Sequence, residues 1–81
     1  MKLDLFDPNR TWAVGDGDCR INGTQLKALL DAVPDEKEML RAVGAINRAD
    51  RRFDVAITVL KHQNFVWYDN SRGVWKLVRT T

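Results

Sequence analysis

The sequence predicts a small α+β domain in which three short helices precede a C-terminal β-hairpin. Apolar residues recur at helical spacing in three successive segments between residues 22 and 62. After them, NFVWYDNSRGVWKLV (64–78) places a cluster of turn formers, 69–73, between two apolar and aromatic runs, which is typical of a hairpin. An isolated hairpin is marginally stable in water, so we expect this one to pack on a helix.

Length and composition indicate a single domain, residues 1–81, whose first ten residues are irregular. The single cysteine, Cys19, excludes an internal disulfide and favours a reducing, cytoplasmic location. No apolar run approaches the roughly 20 residues of a membrane span. The acidic N-terminus does not fit a secretion signal. We therefore expect a soluble chain with no membrane partner.

The charges are unevenly distributed. The net charge is +2, but the segment from residue 48 onwards holds seven basic and three acidic residues, which gives +4 there and −2 before it. A positive C-terminal part is compatible with a surface that binds a polyanion, although a chance asymmetry of this size is common.

A short strand or hairpin is predicted before the helices, formed by RTWAV (10–14) and CRIN (19–22) around GDGD (15–18). GDGD superficially suggests a calcium loop. It lacks the further acidic ligands and the terminal glutamate of such a loop, so a plain turn is favoured.

The first predicted helix begins near Asn22 or Thr24, either of which can serve as the N-cap. Pro34 either ends this helix or opens the second one. The apolar stripe has the spacing i, i+3, i+4, i+7 and consists of Leu26, Leu29, Leu30 and Val33.

The second predicted helix opens with the acidic residues of 35–38, which suit the positive end of the helix dipole, and has Arg48 near its end. Its shared apolar face consists of Met39, Leu40, Val43 and Ile46.

The third predicted helix, 50–62, has Asp50 as its N-cap. A broad apolar arc, with Val55 at its edge, holds Phe53, Ala56, Ile57, Val59 and Leu60. The opposite side holds Arg51, Asp54, Thr58, Lys61 and His62. We expect the hairpin to lie beside this helix with Trp67, Trp75 and Leu77 turned inward and Arg72 at its tip.

The order of three helices and a two-stranded wing resembles the winged helix-turn-helix superfamily over roughly residues 22–79. Within RFDVAITVLKHQNFVWYDNSRGVWKLV, the matching core positions are Val55, Val59, Leu60 and Phe65, and the returning strand is matched by Trp75 and Leu77. The chain departs from the family's pattern in a loose connection, GAINRAD (44–50), where a tight turn is usual. It also has Asp54 on the face that would meet DNA.

The resemblance implies binding of double-stranded DNA, with the third helix in the major groove. Arg51 would pair with guanine, Thr58 with a base or a phosphate, and Lys61 with a phosphate. Arg48 and Arg52 would bind the DNA backbone. Arg72 on the wing, 69–73, would reach the minor groove or the backbone.

Each of these residues also has a simpler interpretation. The three arginines at 48, 51 and 52 could form a solvated helix start that pairs with Asp50 and Asp54. Arg72 could merely decorate a turn. The three tryptophans are better interpreted as packing residues than as surfaces for base stacking.

Catalysis is not expected. The chain has one Cys, one His and one Ser (Cys19, His62 and Ser71), on different elements. A zinc site would need two carboxylates in addition to Cys19 and His62, which is an unusual ligand set. There is no P-loop and no GxGxxG. We therefore expect no enzyme, no cofactor and no metal.

Two functions remain open. The first is a DNA-binding regulator or accessory factor of phage or mobile-element type, acting alone or as a homodimer. The second is a protein-binding module, such as a phage-type inhibitor of a host protein, that uses the same fold without touching DNA.

Overall fold

The computed structural model describes residues 4–15 and 20–78 and confirms the predicted α+β arrangement of three helices and a C-terminal hairpin. The elements in chain order are β1 (Thr11–Ala13), β2 (Arg20–Asn22), α1 (Gly23–Ala32), α2 (Glu36–Ala42), α3 (Arg51–His62), β3 (Val66–Asp69) and β4 (Val74–Leu77). β1 pairs with β2 and β3 pairs with β4, both antiparallel, in two separate sheets. The N-terminal hairpin is therefore confirmed, and residues 4–10 contain only turns. GDGD beyond Gly15, and Cys19, lie outside the described residues.

α1 begins where predicted, and its start is doubly capped. The Asn22 side chain accepts a hydrogen bond from the backbone N–H of Gln25 at 3.0 Å, and the Gln25 side chain accepts one from the N–H of Asn22 at 2.9 Å. This reciprocal capping box satisfies two backbone donors that a helix start leaves unpaired. Asn22, rather than Thr24, is the N-cap. Pro34 lies in the connection between α1 and α2, where Asp35 caps the second helix.

α2 is shorter than predicted, and Arg48 lies in the following loop instead of near the helix end. Gly44 adopts a positive φ of 68°, which is accessible to glycine at little cost and stops the helix. The N–H of Ala45 then bonds to the carbonyl of Leu40 at 2.9 Å, which closes the last turn. Ile46, predicted on the apolar face, is 86% exposed because the helix ends before it.

α3 and the hairpin complete a core to which both hairpins and all three helices contribute. α1 packs against α2 and α3, while α3 also contacts β2 and β3. Among the described residues, the buried apolar side chains of this core are Val14, Ile21, Leu26, Leu29, Val33, Met39, Val43, Phe53, Ala56, Ile57, Leu60 and Val66. In the part of the chain that the structure describes, no helix has the length and apolar character needed to cross a membrane.

The hairpin packs on α3 through the face that carries Trp75, as predicted, but Trp67 lies on the opposite face. Side chains alternate along a strand, so Val66 and Tyr68 share one face and Trp67 takes the other. Val66 is buried and Trp75, opposite Tyr68, is partly buried against the core, as expected for Trp75. Trp67 is 45% exposed, so its inward placement was wrong. Leu77 shares the face of Val66 but is 48% exposed at the strand end.

The buried Gly23 at the start of α1 supplies a test of the fold. A Cβ built on Gly23 would overlap the backbone of Phe6 and Asp7, which crosses the helix start. Gly23→Ala should therefore lower the free energy of unfolding by about 1–3 kcal/mol through overpacking, although alanine normally favours a helix over glycine. Chemical unfolding measures the change, with Thr24→Ala on the exposed side of the same helix as the control. Equal or greater stability of Gly23→Ala would contradict this packing.

Candidate nucleic-acid interface

The solvent-facing side of α3 carries the polar residues that the sequence placed there. Phe53, Ala56, Ile57 and Leu60 bury the other side of the helix in the core. The exposed residues are Arg51, Arg52, Asp54, Thr58, Lys61 and His62. Among the described residues, no side-chain hydrogen bond or ion pair engages Arg51, Thr58 or Lys61. These three side chains are therefore available to a partner.

Asp50 fixes the start of α3, as the sequence predicts. Its carboxylate accepts hydrogen bonds from the backbone N–H of Arg52 at 3.0 Å and of Ile46 at 3.2 Å. These bonds, that from Arg52 first, hold the pKa of Asp50 below its ordinary value because they favour the charged form. Asp50 thus joins the loop before α3 to the first turn of the helix.

Arg48, predicted to bind the DNA backbone, is held between three groups of the protein itself. Its Nε donates to the Glu36 carboxylate, Nη2 donates to the carbonyl of Gly73 at 2.9 Å, and Nη1 approaches the Tyr68 hydroxyl at 3.4 Å. The guanidinium carbon also lies 5.9 Å from the centre of the Tyr68 ring. The bonds to Glu36 and then Tyr68 raise the pKa of Arg48. Arg48 therefore connects α2, the loop before α3 and the hairpin.

The other two arginines at the start of α3 differ in their surroundings. Nη1 of Arg52 donates to the carbonyl of Gly44 at 2.9 Å, which satisfies a carbonyl just beyond the end of α2. The Arg51 side chain passes close to Gly15, since a Cβ built there would lie 3.5 Å from its Cδ and 3.6 Å from Nη1. Arg51 thus extends beside the N-terminal hairpin.

The turn at 69–73, here called the wing tip, is organised by Asp69, which is 9% exposed. Oδ1 of Asp69 accepts from the N–H of Ser71 at 3.0 Å and from its hydroxyl at 2.6 Å, while Oδ2 pairs with Lys76 at 3.2 Å. The Asp69 carbonyl accepts from the N–H of Gly73 at 2.7 Å, and Gly73 has a φ of 68°. Arg72 is exposed at this tip, and its side chain has no hydrogen-bonding or ion-pair partner among residues 4–15 and 20–78.

An open cavity of about 360 Å³, here called the helix–wing groove, lies between part of α3 and the hairpin. Its apolar walls are Phe53 and Ile57 on the helix and Tyr68 and Trp75 on the hairpin, and its charged residues are Arg48, Asp54 and Lys61. Of the predicted site residues, Arg48 and Lys61 line this groove, whereas Arg51 and Thr58 lie on the solvent face of α3 and Arg72 lies at the wing tip. Within the described residues, no group of three or more His, Cys, Asp or Glu side chains is placed to hold a metal ion.

Sequence reasoning missed Tyr68 and Glu36, both of which contact Arg48. The alternation of the hairpin could have identified Tyr68, because Val66 and Tyr68 occupy the same face of β3. The contact of Glu36 with Arg48 has no signal in the sequence, since the two residues lie twelve positions apart across a loop of irregular path.

We expect Arg48→Lys to loosen the wing tip nearly as much as Arg48→Gln. Lysine keeps the charge but has a single ammonium group, whereas the planar guanidinium bonds several acceptors at fixed angles. Amide hydrogen exchange at Gly73 and Val74 measures this, and both variants should exchange faster than the unchanged chain. Lys37→Gln, an exposed lysine on α2, serves as the control. Wild-type protection in Arg48→Lys would mean that charge alone holds the wing.

Acid should weaken the wing tip through Asp69. The hydroxyl of Ser71, the ammonium of Lys76 and the N–H of Ser71 together lower the pKa of Asp69 to about 2. An unfolded aspartate has a pKa of about 3.9. The lowered pKa means that ionised Asp69 stabilises the folded state; this contribution is complete above about pH 4 and is lost as the pH falls towards 2. Urea unfolding between pH 5 and 2 should show a smaller pH dependence in Asp69→Asn than in the unchanged chain. Asp31→Asn, which alters an exposed ion pair on α1, should leave the pH dependence in place. Identical curves for the unchanged chain and Asp69→Asn would rule out this linkage.

In comparisons with known proteins, no protein-family model matches the chain, and no curated protein or solved structure matches it.

Proposed function

We propose that the protein binds double-stranded DNA, with α3 in the major groove and the wing tip, 69–73, on the minor groove or the backbone. The observation that carries the proposal is that both α3 and the wing tip expose polar side chains without protein partners. Arg51, Thr58 and Lys61 are exposed and unpartnered on α3, and Arg72 is exposed and unpartnered on the wing tip.

The dimensions of α3 suit this role. Twelve residues form a helix about 18 Å long, and the major groove is about 12 Å wide, which admits an α-helix. Arg51 and Thr58 lie two turns apart on one side of α3, so both can face the base edges in the major groove of DNA. Lys61, on the flank of the helix, can contact a phosphate. Arg72 would contact the minor groove or a phosphate of the adjacent backbone.

Arg48 and Arg52 take different parts in the proposed complex. Their guanidinium groups bond the protein, Arg48 to Gly73 and Glu36 and Arg52 to Gly44. They would position the wing and the start of α3, and add positive potential towards phosphates without a direct requirement for contact. Asp54 opposes binding, because a carboxylate on the same flank as Lys61 repels phosphate.

The proposed biological role is a transcriptional regulator or accessory factor of phage or mobile-element type in the cytoplasm, without catalytic activity. A domain of this size would act alone, as a homodimer on two half-sites, or beside a larger protein.

A protein-binding function is the second candidate, and a specific observation favours it. Ile46 is 86% exposed, Trp67 45% and Leu77 48%, so large apolar side chains lie on the surface of a small domain. Exposed aromatic and apolar residues are enriched at protein interfaces. The partner in this case would be a host protein that the chain inhibits or connects to another factor.

Salt-dependent binding to a labelled random duplex, followed by fluorescence anisotropy, tests the DNA proposal. Binding should be strong at about 50 mM salt and fall steeply by about 200 mM, because bound phosphates release counterions. Arg51→Ala and Arg72→Ala should each weaken binding. In Arg72→Ala, the slope of log affinity against log salt concentration should fall by about 1, because one phosphate contact is lost. Asp54→Asn should strengthen binding, since it removes a repulsion.

Lys27→Ala is the matched control, because Lys27 lies on the exposed side of α1, whose buried side packs against α2 and α3. It removes one positive charge without touching α3 or the wing tip. No binding at the lower salt would refute the DNA proposal. Equal weakening by Lys27→Ala and Arg51→Ala would place the surface elsewhere. A single stoichiometric protein partner, lost in Trp67→Ser, would support the second candidate.

A further inference from the structure

The helix–wing groove has the lining of a small-molecule site. Phe53 and Ile57 form one wall, and Tyr68 and Trp75 form the other. The Tyr68 and Trp75 rings meet edge to face, with centroids 5.0 Å apart and planes at 64° to each other. Pockets that take small ligands measure about 300–1,000 Å³ and are mostly apolar with a few polar groups, and this groove, at about 360 Å³, lies at the small end. Phe53 and Ile57 are 3% and 4% exposed, so the partly exposed rings of Tyr68 and Trp75 provide most of the apolar surface open to a ligand.

The charges around the groove are unequal at its two ends. Arg48 in the lining is paired with Glu36, and Asp54, in the first turn of α3, adds a carboxylate to the lining. Lys61 lines the groove seven residues after Asp54, about 10 Å further along the helix axis. No carboxylate among the described residues pairs with Lys61. A negative group is therefore favoured at the Lys61 end and disfavoured at the Asp54 end.

From this lining and this charge arrangement, we propose that the groove binds a small planar aromatic anion, of the class of the aromatic carboxylates. The ring system would lie against the partly exposed rings of Tyr68 and Trp75, and the carboxylate would pair with Lys61. An α-amino acid fits less well, because its ammonium and carboxylate groups are adjacent, whereas Asp54 and Lys61 are two helical turns apart. The site does not require bound DNA, since its apolar lining belongs to the groove and not to the solvent side of α3, although Lys61 is used in both proposals.

Two-dimensional NMR of the 15N-labelled 81-residue chain tests this directly, because its three tryptophans report on different places. The indole N–H of Trp75 belongs to a groove residue, whereas Trp12 lies on the N-terminal hairpin and Trp67 on the outer face of β3. The probes are 1-naphthoate and its uncharged counterpart 1-naphthalenemethanol. We expect 1-naphthoate to shift the Trp75 signal saturably and to leave those of Trp12 and Trp67 nearly unchanged.

The charge contribution is tested by Lys61→Gln. In the unchanged chain, 1-naphthoate should bind up to about fivefold more tightly than 1-naphthalenemethanol, the range for an exposed ion pair. In Lys61→Gln the two probes should bind equally, while Lys27→Gln, matched in charge on α1, should keep the preference. A spectrum of each variant recorded without probe serves as the control for retention of the fold.

Three results would overturn the proposal. These are the absence of a saturable shift at Trp75, equal shifts at all three tryptophans, and an unchanged preference for the anion in Lys61→Gln. None of these results affects the interpretation of the duplex titration, so the ligand proposal and the DNA proposal can be refuted separately.

Discussion

The burial of one face of α3 is the interaction on which the rest of the structure depends. α3 contacts α1, β2 and β3, whereas the two hairpins form separate two-stranded sheets that do not pair with each other. Such hairpins are marginal alone, so each gains its stability from packing against the helices. Leu60 and Phe53 of α3 lie in the same buried cluster as Ile21 of β2 and Val66 of β3. Because the apolar face of α3 is buried in the core, its polar face is the one exposed to solvent.

A set of polar contacts then fixes the hairpin relative to the start of α3. Asp50 joins α3 to the preceding loop, Arg48 joins that loop to the carbonyl of Gly73, and Asp69 shapes the turn to which Gly73 belongs. Each contact is partly exposed and contributes modestly by itself. Together they restrict the wing tip and α3 to one relative placement. A surface made of two elements can be complementary to a rigid partner only when their placement is fixed in this way.

The sequence predicts those features of the fold that depend on local periodicity and capping. The buried face of α3 follows from its 3.6-residue spacing, and the caps at Asn22 and Asp50 follow from residue type and position. The end of α2 was misjudged because the apolar period continues through Ile46, while Gly44 adopts a backbone conformation that stops the helix. The hairpin was misjudged at Trp67, because alternation places this residue on the face opposite to the buried Val66 and the partly buried Trp75.

The candidate site was predictable to the extent that it lies on one helix. Arg51, Thr58 and Lys61 are exposed together because the helical period separates them from the core. The bonds of Arg48 to Glu36 and Gly73 join residues distant in sequence, and no local pattern specifies such contacts. The groove arises in the same way, because it lies between two elements that are distant in sequence.

The wing tip uses different residues for its shape and for its exposed surface. Its shape depends on Asp69, Ser71 and Gly73, whereas the side chains of Asn70 and Arg72 form no hydrogen bonds or ion pairs within the described chain. Those two positions can therefore vary without reshaping the turn, so the domain could acquire new binding preferences there by single substitutions.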